Sequence, residues 1–173
     1  MVKTILDEFC VKSGVLCAKC EEKLRKGQVT ELDLRVLKAL IELERDYPIL
    51  KKIFFHKAVE AGNTMAILLE RRDMARVLTH GGKIIKALAE KIGKRRIKIL
   101  SYGGSEREFL EELLSPFSIL TVNTVWLPDG STETKVILPG RRPRRIPVNF
   151  EEVKKLAKEV KGMTLRIEFE KGD

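Results

Sequence analysis

Residues 64–102 have the sequence TMAILLERRDMARVLTHGGKIIKALAEKIGKRRIKILSY, whose pattern is the most informative about the fold. An apolar run predicts a strand, which leads into a short helix, a tight Gly81-Gly82 turn, a longer basic helix and another strand. Apolar residues recur at helical spacing in the longer helix, so one face is buried and lysines occupy the wetter side. Because this helix begins at the glycines, its first N–H groups and the positive end of its dipole point into the turn. The turn is therefore predicted to seat a phosphate.

Positive charge is concentrated in the same stretch. Residues 71–102 hold 10 Lys or Arg against 2 acidic residues, a local excess of +8, and the whole chain carries +9. A second basic segment, residues 139–147, carries +4. Lysines on an exposed helix face are usually only solvated, and a glycine pair is usually only a turn. Here turn, helix start and charge coincide, which favours a nucleic-acid site over a solvated surface.

At these residues the sequence resembles K-homology (KH) RNA-binding domains, and in particular the tandem KH units of archaeal NusA-like transcription factors. In that family a Gly-x-x-Gly turn clamps the backbone of a short single strand, and an aliphatic groove receives the bases. Gly82 matches the last glycine, and Thr79 stands where the first is expected. A β-branched threonine restricts the turn and adds bulk, so the resemblance implies a grip that is weakened, altered or lost.

The partner that the resemblance implies is single-stranded RNA, with RNA polymerase or a ribosomal particle as a further partner, in transcription elongation, termination or RNA maturation. The predicted RNA-binding residues lie on the turn, its flanking helices, the second strand and the second basic segment: Arg72, Arg76, Val77, Leu78, Thr79, His80, Gly81, Gly82, Lys83, Lys86, Arg95, Arg96, Arg141, Arg142, Arg144 and Arg145. The expected groove walls are aliphatic and accept bases by shape: Val77, Leu78, Ile84, Ile85 and Ile97.

The last part of the chain predicts a second, degenerate KH-like unit that lacks the turn. Two strand-like runs flank Pro128-Asp129-Gly130-Ser131, which has the chemistry of a hairpin turn, and Asn149 caps a later helix. Between them, residues 139–147 contain three prolines, which exclude a helix. The four arginines of this segment either contact phosphates by charge alone or form a solvated loop.

The predicted fold class is α+β, with two KH-like (NusA-type) units behind a small Cys-rich N-terminal element. The domain boundaries expected from the patterns are residues 1–29 for the Cys-rich element, 30–115 for the first KH-like domain and 116–173 for the second. Thr30 and Asp33 form a predicted capping box that begins an amphipathic helix ending near Pro48.

Cys10, Cys17 and Cys20 are the only cysteines. Cys17 and Cys20 have the two-residue spacing that lets two thiolates turn onto one tetrahedral metal, and the weak helical pattern suits an irregular knuckle. A structural zinc needs a fourth ligand, for which the candidates are Asp7, Glu8, His56, a water or a group from another chain. The competing interpretations are a Cys10–Cys17 disulfide and free thiols.

Catalytic motifs are not found in the sequence. It has no phosphate-binding loop of the ATPase kind, no Gly-x-Ser-x-Gly elbow and no Ser/His/Asp grouping, so neither an enzyme nor an organic cofactor is predicted. With no signal peptide and no apolar run of membrane-spanning length, a cytoplasmic protein without a membrane partner is expected. Abundant Lys, Glu and Arg with one glutamine, Gln28, are typical of proteins from hot environments. The alternative function is a protein- or ribosome-docking module on a KH scaffold without specific RNA binding.

Overall fold

The chain folds as an α+β structure, as its patterns predict, and the computed structural model describes residues 1–80, 82–94 and 96–172. Within these ranges it holds seven α-helices and two three-stranded sheets. The helices are α1 (Glu8–Ser13), α2 (Ala18–Arg25), α3 (Glu31–Leu43), α4 (Arg71–Leu78), α5 (Lys83–Ile92), α6 (Glu106–Leu114) and α7 (Phe150–Lys161). The strands are β1 (Phe55–Ala61), β2 (Thr64–Leu69), β3 (Arg96–Ser101), β4 (Thr121–Trp126), β5 (Thr132–Leu138) and β6 (Leu165–Phe169).

Contacts between Cα atoms divide the chain into two compact units. The first unit comprises Met1–Ala58 and Met65–Gly103, and the second comprises Val59–Thr64 and Gly104–Asp173. The cysteines and the helix pair α4–α5 belong to the first unit, and the arginine segment belongs to the second. The domain boundaries predicted from the sequence, at 29/30 and 115/116, stay predictions.

The first sheet has the strand order β1-β2-β3. The amide of Glu70 donates to the carbonyl of Phe54 at 3.2 Å, which places the end of β2 beside the start of β1, so these strands are antiparallel. The amide of Tyr102 donates to the carbonyl of Leu69 at 2.8 Å. The C-terminal ends of β2 and β3 therefore lie side by side, and these neighbours run in parallel. Two parallel strands need a crossover connection, which α4 and α5 provide.

The helix α3 begins at the predicted capping box. The Thr30 hydroxyl accepts from the Asp33 amide at 3.1 Å, and the Asp33 carboxylate accepts from the Thr30 amide at 2.9 Å. The same buried carboxylate also accepts from the Ala58 amide at 2.7 Å, so it ties α3 to β1. The helix ends at Leu43, four residues before the predicted end, and Pro48 instead begins a short 3-10 helix, Pro48–Lys52.

The second sheet repeats the pattern of the first, with the order β4-β5-β6. Strands β4 and β5 pair antiparallel, with Val122 opposite Val136, and β5 and β6 pair in parallel, with Val136 opposite Ile167. Asn149 is the N-cap of α7, as the sequence predicts. Its side chain accepts hydrogen bonds from two backbone amides of the first turn. Residues 139–149 form no helix, which agrees with the proline content of the segment.

The N-terminal element differs from the prediction. The irregular knuckle expected around the cysteines is a pair of short helices, α1 and α2, separated at Gly14, which has a φ of +76°. Few apolar residues mark these helices because each is only six to eight residues long and buries little of its surface. In the described ranges, no helix has the length and apolar character required to cross a bilayer.

Candidate functional site

The turn between α4 and α5 begins with two residues that close the end of α4. The Thr79 hydroxyl donates to the Arg76 carbonyl at 3.1 Å, and Nδ1 of His80 lies 3.1 Å from the same oxygen. Thr79 has φ −66° and ψ −13°, an ordinary right-handed backbone. This position therefore does not require the glycine that the KH pattern places there.

Among the described residues of the turn, Gly82 has a backbone that requires glycine. Its φ of +79° lies in the left-handed region, and a Cβ placed on it would meet no heavy atom within 4 Å. Only glycine adopts this backbone without strain, and the space beside it is open. The second predicted turn glycine, Gly81, lies outside the described residues, as does Arg95.

The N-terminus of α5 differs from those of the other long helices. The helices α3, α6 and α7 each begin with a capping side chain and carry acidic residues in the first turn. In the described ranges, α5 has no side-chain cap, and its first turn holds no acidic residue and begins with Lys83. The positive end of this helix is thus not neutralised by its own side chains, which favours an anion at the turn.

Four predicted cations lie on the two helices that meet at this turn. Arg72 and Arg76 on α4 and Lys83 and Lys86 on α5 are all exposed. Arg76 forms an ion pair of 3.2 Å with Asp73, whose buried carboxylate also accepts from the Phe54 amide at 2.8 Å. Asp73 therefore orients one of these arginines while the other three cations face solvent.

Three of the five residues predicted to line the groove are buried. Val77, Ile84 and Ile97 are 2%, 1% and 9% exposed and belong to the core. Their side chains stabilise the fold and present little surface to a ligand, and Val77 as a binding residue stays a prediction. The pattern identified them correctly as apolar, but periodicity does not tell a core face from a groove wall. Leu78, at 47% exposure, and the half-buried Ile85 remain at the surface.

The remaining predicted cations lie elsewhere in the chain. Arg96 is half-buried on β3. Four arginines of the second unit are exposed in the connection between β5 and α7: Arg141, Arg142, Arg144 and Arg145. The guanidinium carbon of Arg142 lies 5.6 Å from the centre of the Phe150 ring, so this arginine is held against the start of α7. The predicted RNA-binding residues thus form two sets, one in each unit.

The cysteines converge at the N-terminal ends of α1 and α2. One ligand atom from each of Asp7, Cys10, Cys17 and Cys20 lies within 4.8 Å of the others, close enough to hold a metal ion. The Cys17 thiol lies 3.3 Å from Asp7 Oδ2, and the Cys17 amide donates to Cys10 Sγ at 3.2 Å. All three cysteines are free thiols. Of the candidates for the fourth ligand, the structure brings Asp7 to the cluster.

Each helix contributes to the cluster in the same way. Asp7 and Cys17 are the N-cap residues of α1 and α2, and Cys10 and Cys20 follow them by three residues. Side chains at these two positions approach each other over the first turn, as they do in a capping box. Asp7-x-x-Cys10 therefore repeats the spacing of Cys17-x-x-Cys20, and this repeat is the sequence signal that singles out Asp7 from the other candidates.

The two thiols of α2 have different electrostatic surroundings. Burial raises the pKa of Cys20 to about 11 from its ordinary 9.0. A hydrogen bond with the Cys20 backbone, assisted by the Cys10 side chain, lowers the pKa of Cys17, which lies at the surface. A metal ion at the cluster must displace a proton from Cys20, so metal affinity rises with pH.

Phe54 and Tyr102, which the sequence analysis did not single out, form an aromatic stack in the first unit with His56, which it considered only as a zinc ligand. The rings of His56 and Tyr102 are parallel within 8°, with centres 3.9 Å apart, and Phe54 lies 4.7 Å from His56 on a tilted plane. His56 also lies 2.9 Å from Glu70. These residues come from β1, the end of β2 and the end of β3, so no local sequence pattern joins them.

Comparisons with known proteins bear on the fold. No protein-family model and no curated protein matches this sequence. Among solved structures, the chain is similar to the crystal structure of APE1850, with a TM-score of 0.54 and 14% sequence identity over 82% of this chain and 99% of that chain. At this identity the likeness shows the fold alone, which most of this chain therefore shares with a solved protein.

Proposed function

We propose that this chain is an RNA-binding protein that holds single-stranded RNA at the turn between α4 and α5, on a KH-like (NusA-type) scaffold. The observation that carries the proposal is the start of α5, which has no side-chain cap or first-turn acid among the described residues, next to exposed cations on α4 and α5. The element order helix, strand, strand, helix, turn, helix, strand supports the KH-like assignment. The process served is transcription elongation or termination, or RNA maturation, in the cytoplasm.

The chemistry of this surface suits a single strand. Phosphates meet the open helix end at Gly82 together with Lys83 and Lys86, and Arg72 offers a further contact at the other end of α4. Phosphate contacts carry no sequence information. Apolar side chains beside the turn, Leu78 and Ile85, offer a surface to bases without hydrogen-bond groups that would distinguish one base from another. A duplex keeps its bases stacked inside, so it uses only the phosphate contacts.

Titration with a short single-stranded RNA and a matched duplex, at several salt concentrations, tests the proposal. If about four phosphates are neutralised, the log–log slope is roughly −3 for a single strand, and a fourfold rise in salt weakens binding on the order of 50-fold. Single strands are expected to bind more strongly than duplexes. A flat salt response would contradict a phosphate-binding turn, and equal affinity for duplex would indicate unspecific attraction of charge.

Substitution in the turn locates the site. Replacing His80 and Gly81 together by aspartate brings two carboxylates to the start of α5, where they neutralise the helix end and repel phosphate. RNA binding is expected to be lost with only a small fall in unfolding temperature. Thr79 and Gly82 are exposed, and His80 is half-buried, where it contacts the Arg76 carbonyl and the Tyr47 ring. If the variant binds as well as the parent, the arginine segment of the second unit becomes the leading candidate.

The metal proposed for the N-terminal cluster is one structural zinc ion. Three thiolates with one carboxylate suit Zn²⁺, which binds sulfur at about 2.3 Å in tetrahedral sites, with ligand atoms about 3.8 Å apart. The present separations, up to 4.8 Å, close to that value by small side-chain rotations. Zinc would hold α1 and α2 together at their N-terminal ends, with no open position for catalysis.

Metal analysis of protein purified without a metal-binding tag tests this assignment. One zinc per chain is expected in the parent, and Cys20→Ser and Asp7→Ala are both expected to lower zinc content. Glu8→Ala is the matched control, because Glu8 forms an ion pair of 2.8 Å with Lys12 and is not part of the cluster. Absence of zinc in the parent, with three titratable thiols, would remove the proposal.

A second candidate function is the docking of a protein or a ribosomal particle. The observation that favours it is the exposure of large apolar side chains, with Phe9 76%, Val15 70% and Trp126 75% exposed. Exposed aromatic residues of this kind are enriched where proteins meet. Salt-insensitive or undetectable RNA binding by the parent protein would favour this alternative over the RNA proposal.

A further inference from the structure

The aromatic stack formed by Phe54, His56 and Tyr102 ends in an exposed ring. One face of Tyr102 covers His56 at 3.9 Å, and 51% of the residue remains accessible to solvent. In contrast, the side chain of His56 is only 17% exposed. The stack therefore has an inner part that is fixed and an outer ring that presents aromatic surface to solvent.

Several contacts hold this ring in place before any ligand arrives. The Tyr102 amide donates to the Leu69 carbonyl at 2.8 Å, which fixes the backbone at the end of β3. Nε2 of His56 lies 2.9 Å from Glu70 Oε1, so the imidazole cannot rotate away from beneath the tyrosine without losing this contact. A ligand that stacks on Tyr102 thus orders few additional side chains, which reduces the entropic cost of binding.

The position of the ring relates it to the basic helix pair. Leu69 and Glu70 immediately precede α4, so Tyr102 lies near the first turn of this helix. Arg72 and Arg76, four residues apart, are exposed on the same side of α4 and lead from that end towards the turn. An eight-residue helix is about 12 Å long, so the ring and Gly82 mark opposite ends of a short basic track.

We infer that Tyr102 is the stacking site for an unpaired nucleobase of the same RNA strand that binds at the turn. This inference rests on the proposed function and adds a second anchor to it. Every base has a π-face and therefore stacks on a tyrosine, and base–aromatic stacking beside arginines is how many single-strand binders gain affinity without reading sequence. The Glu70 carboxylate, which belongs to this stack, contacts His56. The ligand class is thus a single-stranded oligonucleotide, with little preference among bases.

The experiment uses the full chain and a short single-stranded RNA that carries 2-aminopurine at one position per probe. Stacking quenches the fluorescence of this base, so one of the probes is expected to be quenched by the parent protein. Tyr102→Ala should remove that quenching and weaken binding by roughly 5- to 150-fold, the range for loss of one stacked base. The salt slope should stay unchanged, because no phosphate contact is lost.

Three further variants separate stacking from general damage. Tyr102→Phe keeps the ring and is expected to bind within about twofold of the parent. Tyr102→Leu covers His56 with apolar surface but has no ring, so it is expected to weaken binding as alanine does while the unfolding temperature is retained. Trp126→Ala removes an exposed aromatic residue of the second unit and is expected to leave affinity unchanged within about twofold.

The outcomes distinguish this inference from the proposed function. If the parent binds RNA with the expected salt slope, but Tyr102→Ala binds equally well, the stacking site is wrong and the phosphate site at the turn stands. If Tyr102→Leu binds like the parent, the contact is apolar packing and not stacking, which also overturns the inference. If the parent does not bind single-stranded RNA, the proposed function fails, and the stacking site fails with it.

Discussion

In both units a crossover connection joins two parallel strands. The two connections have equal length but different secondary structure. In each, an antiparallel pair of strands is followed by a parallel third strand, and 26 residues connect the second strand to the third. Both connections end with a helix, a left-handed glycine and two further residues before the strand. The first halves differ, because the first unit has α4 there, whereas residues 139–149 of the second unit form an arginine- and proline-containing loop.

This difference shows which part of the connection the sheet requires. The final helix, α5 or α7, packs on the third strand of its own sheet and is present in both units. The first half is free to vary, and in both units it carries positive charge. In the first unit the charge lies on α4 and α5, and α5 begins without a side-chain cap. In the second unit it lies on a loop that leads into α7, which is capped by Asn149 and has two glutamates in its first turn.

The largest expected effect concerns the cores behind α5 and α7. Leu88 on α5 and Leu156 on α7 are core leucines, 2% and 0% exposed, and replacing either by alanine leaves a cavity that costs about 2–5 kcal/mol. Hydrogen exchange should show loss of protection mainly in the unit that carries the substitution. Equal loss of protection in both units would mean that they unfold as one cooperative body, which would contradict independent unfolding of the two units.

The next effect in size concerns RNA binding by the two helices. Lys83→Glu with Lys86→Glu reverses two exposed charges on α5, and Lys155→Glu with Lys158→Glu makes the same change on α7. Loss of two phosphate contacts lowers the salt slope by about 1.4 and weakens binding on the order of 25-fold at 0.1 M salt. The α7 variant should change affinity much less. Similar losses in both variants would show that net charge, not position, governs binding.

A smaller effect is expected at the left-handed glycines. Gly82 begins α5 with φ +79°, and Gly162 ends α7 with φ +67°. Alanine at either position costs about 1–2 kcal/mol because L-residues are strained there. Thermal unfolding should show similar losses for both, whereas RNA affinity should fall only for Gly82→Ala. If Gly162→Ala weakened RNA binding equally, loss of stability and not the turn would explain the effect.

The smallest expected effect is that of Thr79→Gly, which restores the KH pattern. The variant loses the hydroxyl contact with Arg76 and gains backbone freedom, so stability should fall by about 1 kcal/mol. Tighter RNA binding would show that the threonine weakens the turn. Because Thr79 already has a right-handed backbone, unchanged affinity would show that the turn does not need glycine at this position.

Sequence patterns predicted most elements of the fold, because long amphipathic helices, alternating strands and proline- or glycine-rich turns leave local signals. The helix from Glu31 and the helix from Phe150 were predicted from their capping residues, and the strands β2, β3, β4 and β5 lie where the apolar runs and the turn at residues 128–131 predict them. The helices α1 and α2 were not predicted, since they are short and their main contribution is to bring four polar or thiol side chains together.

The α+β class, the location of positive charge and the spacing of the cysteines can be read from the chain without a structure, since they depend on local order. That Asp7 joins the cysteines, that Val77 is buried and that Tyr102 stacks on His56 became visible only in the folded chain. These are contacts between side chains that different elements bring together, or the burial of one face of a helix. They depend on how helices and strands pack, and a one-dimensional pattern contains no distance between its elements.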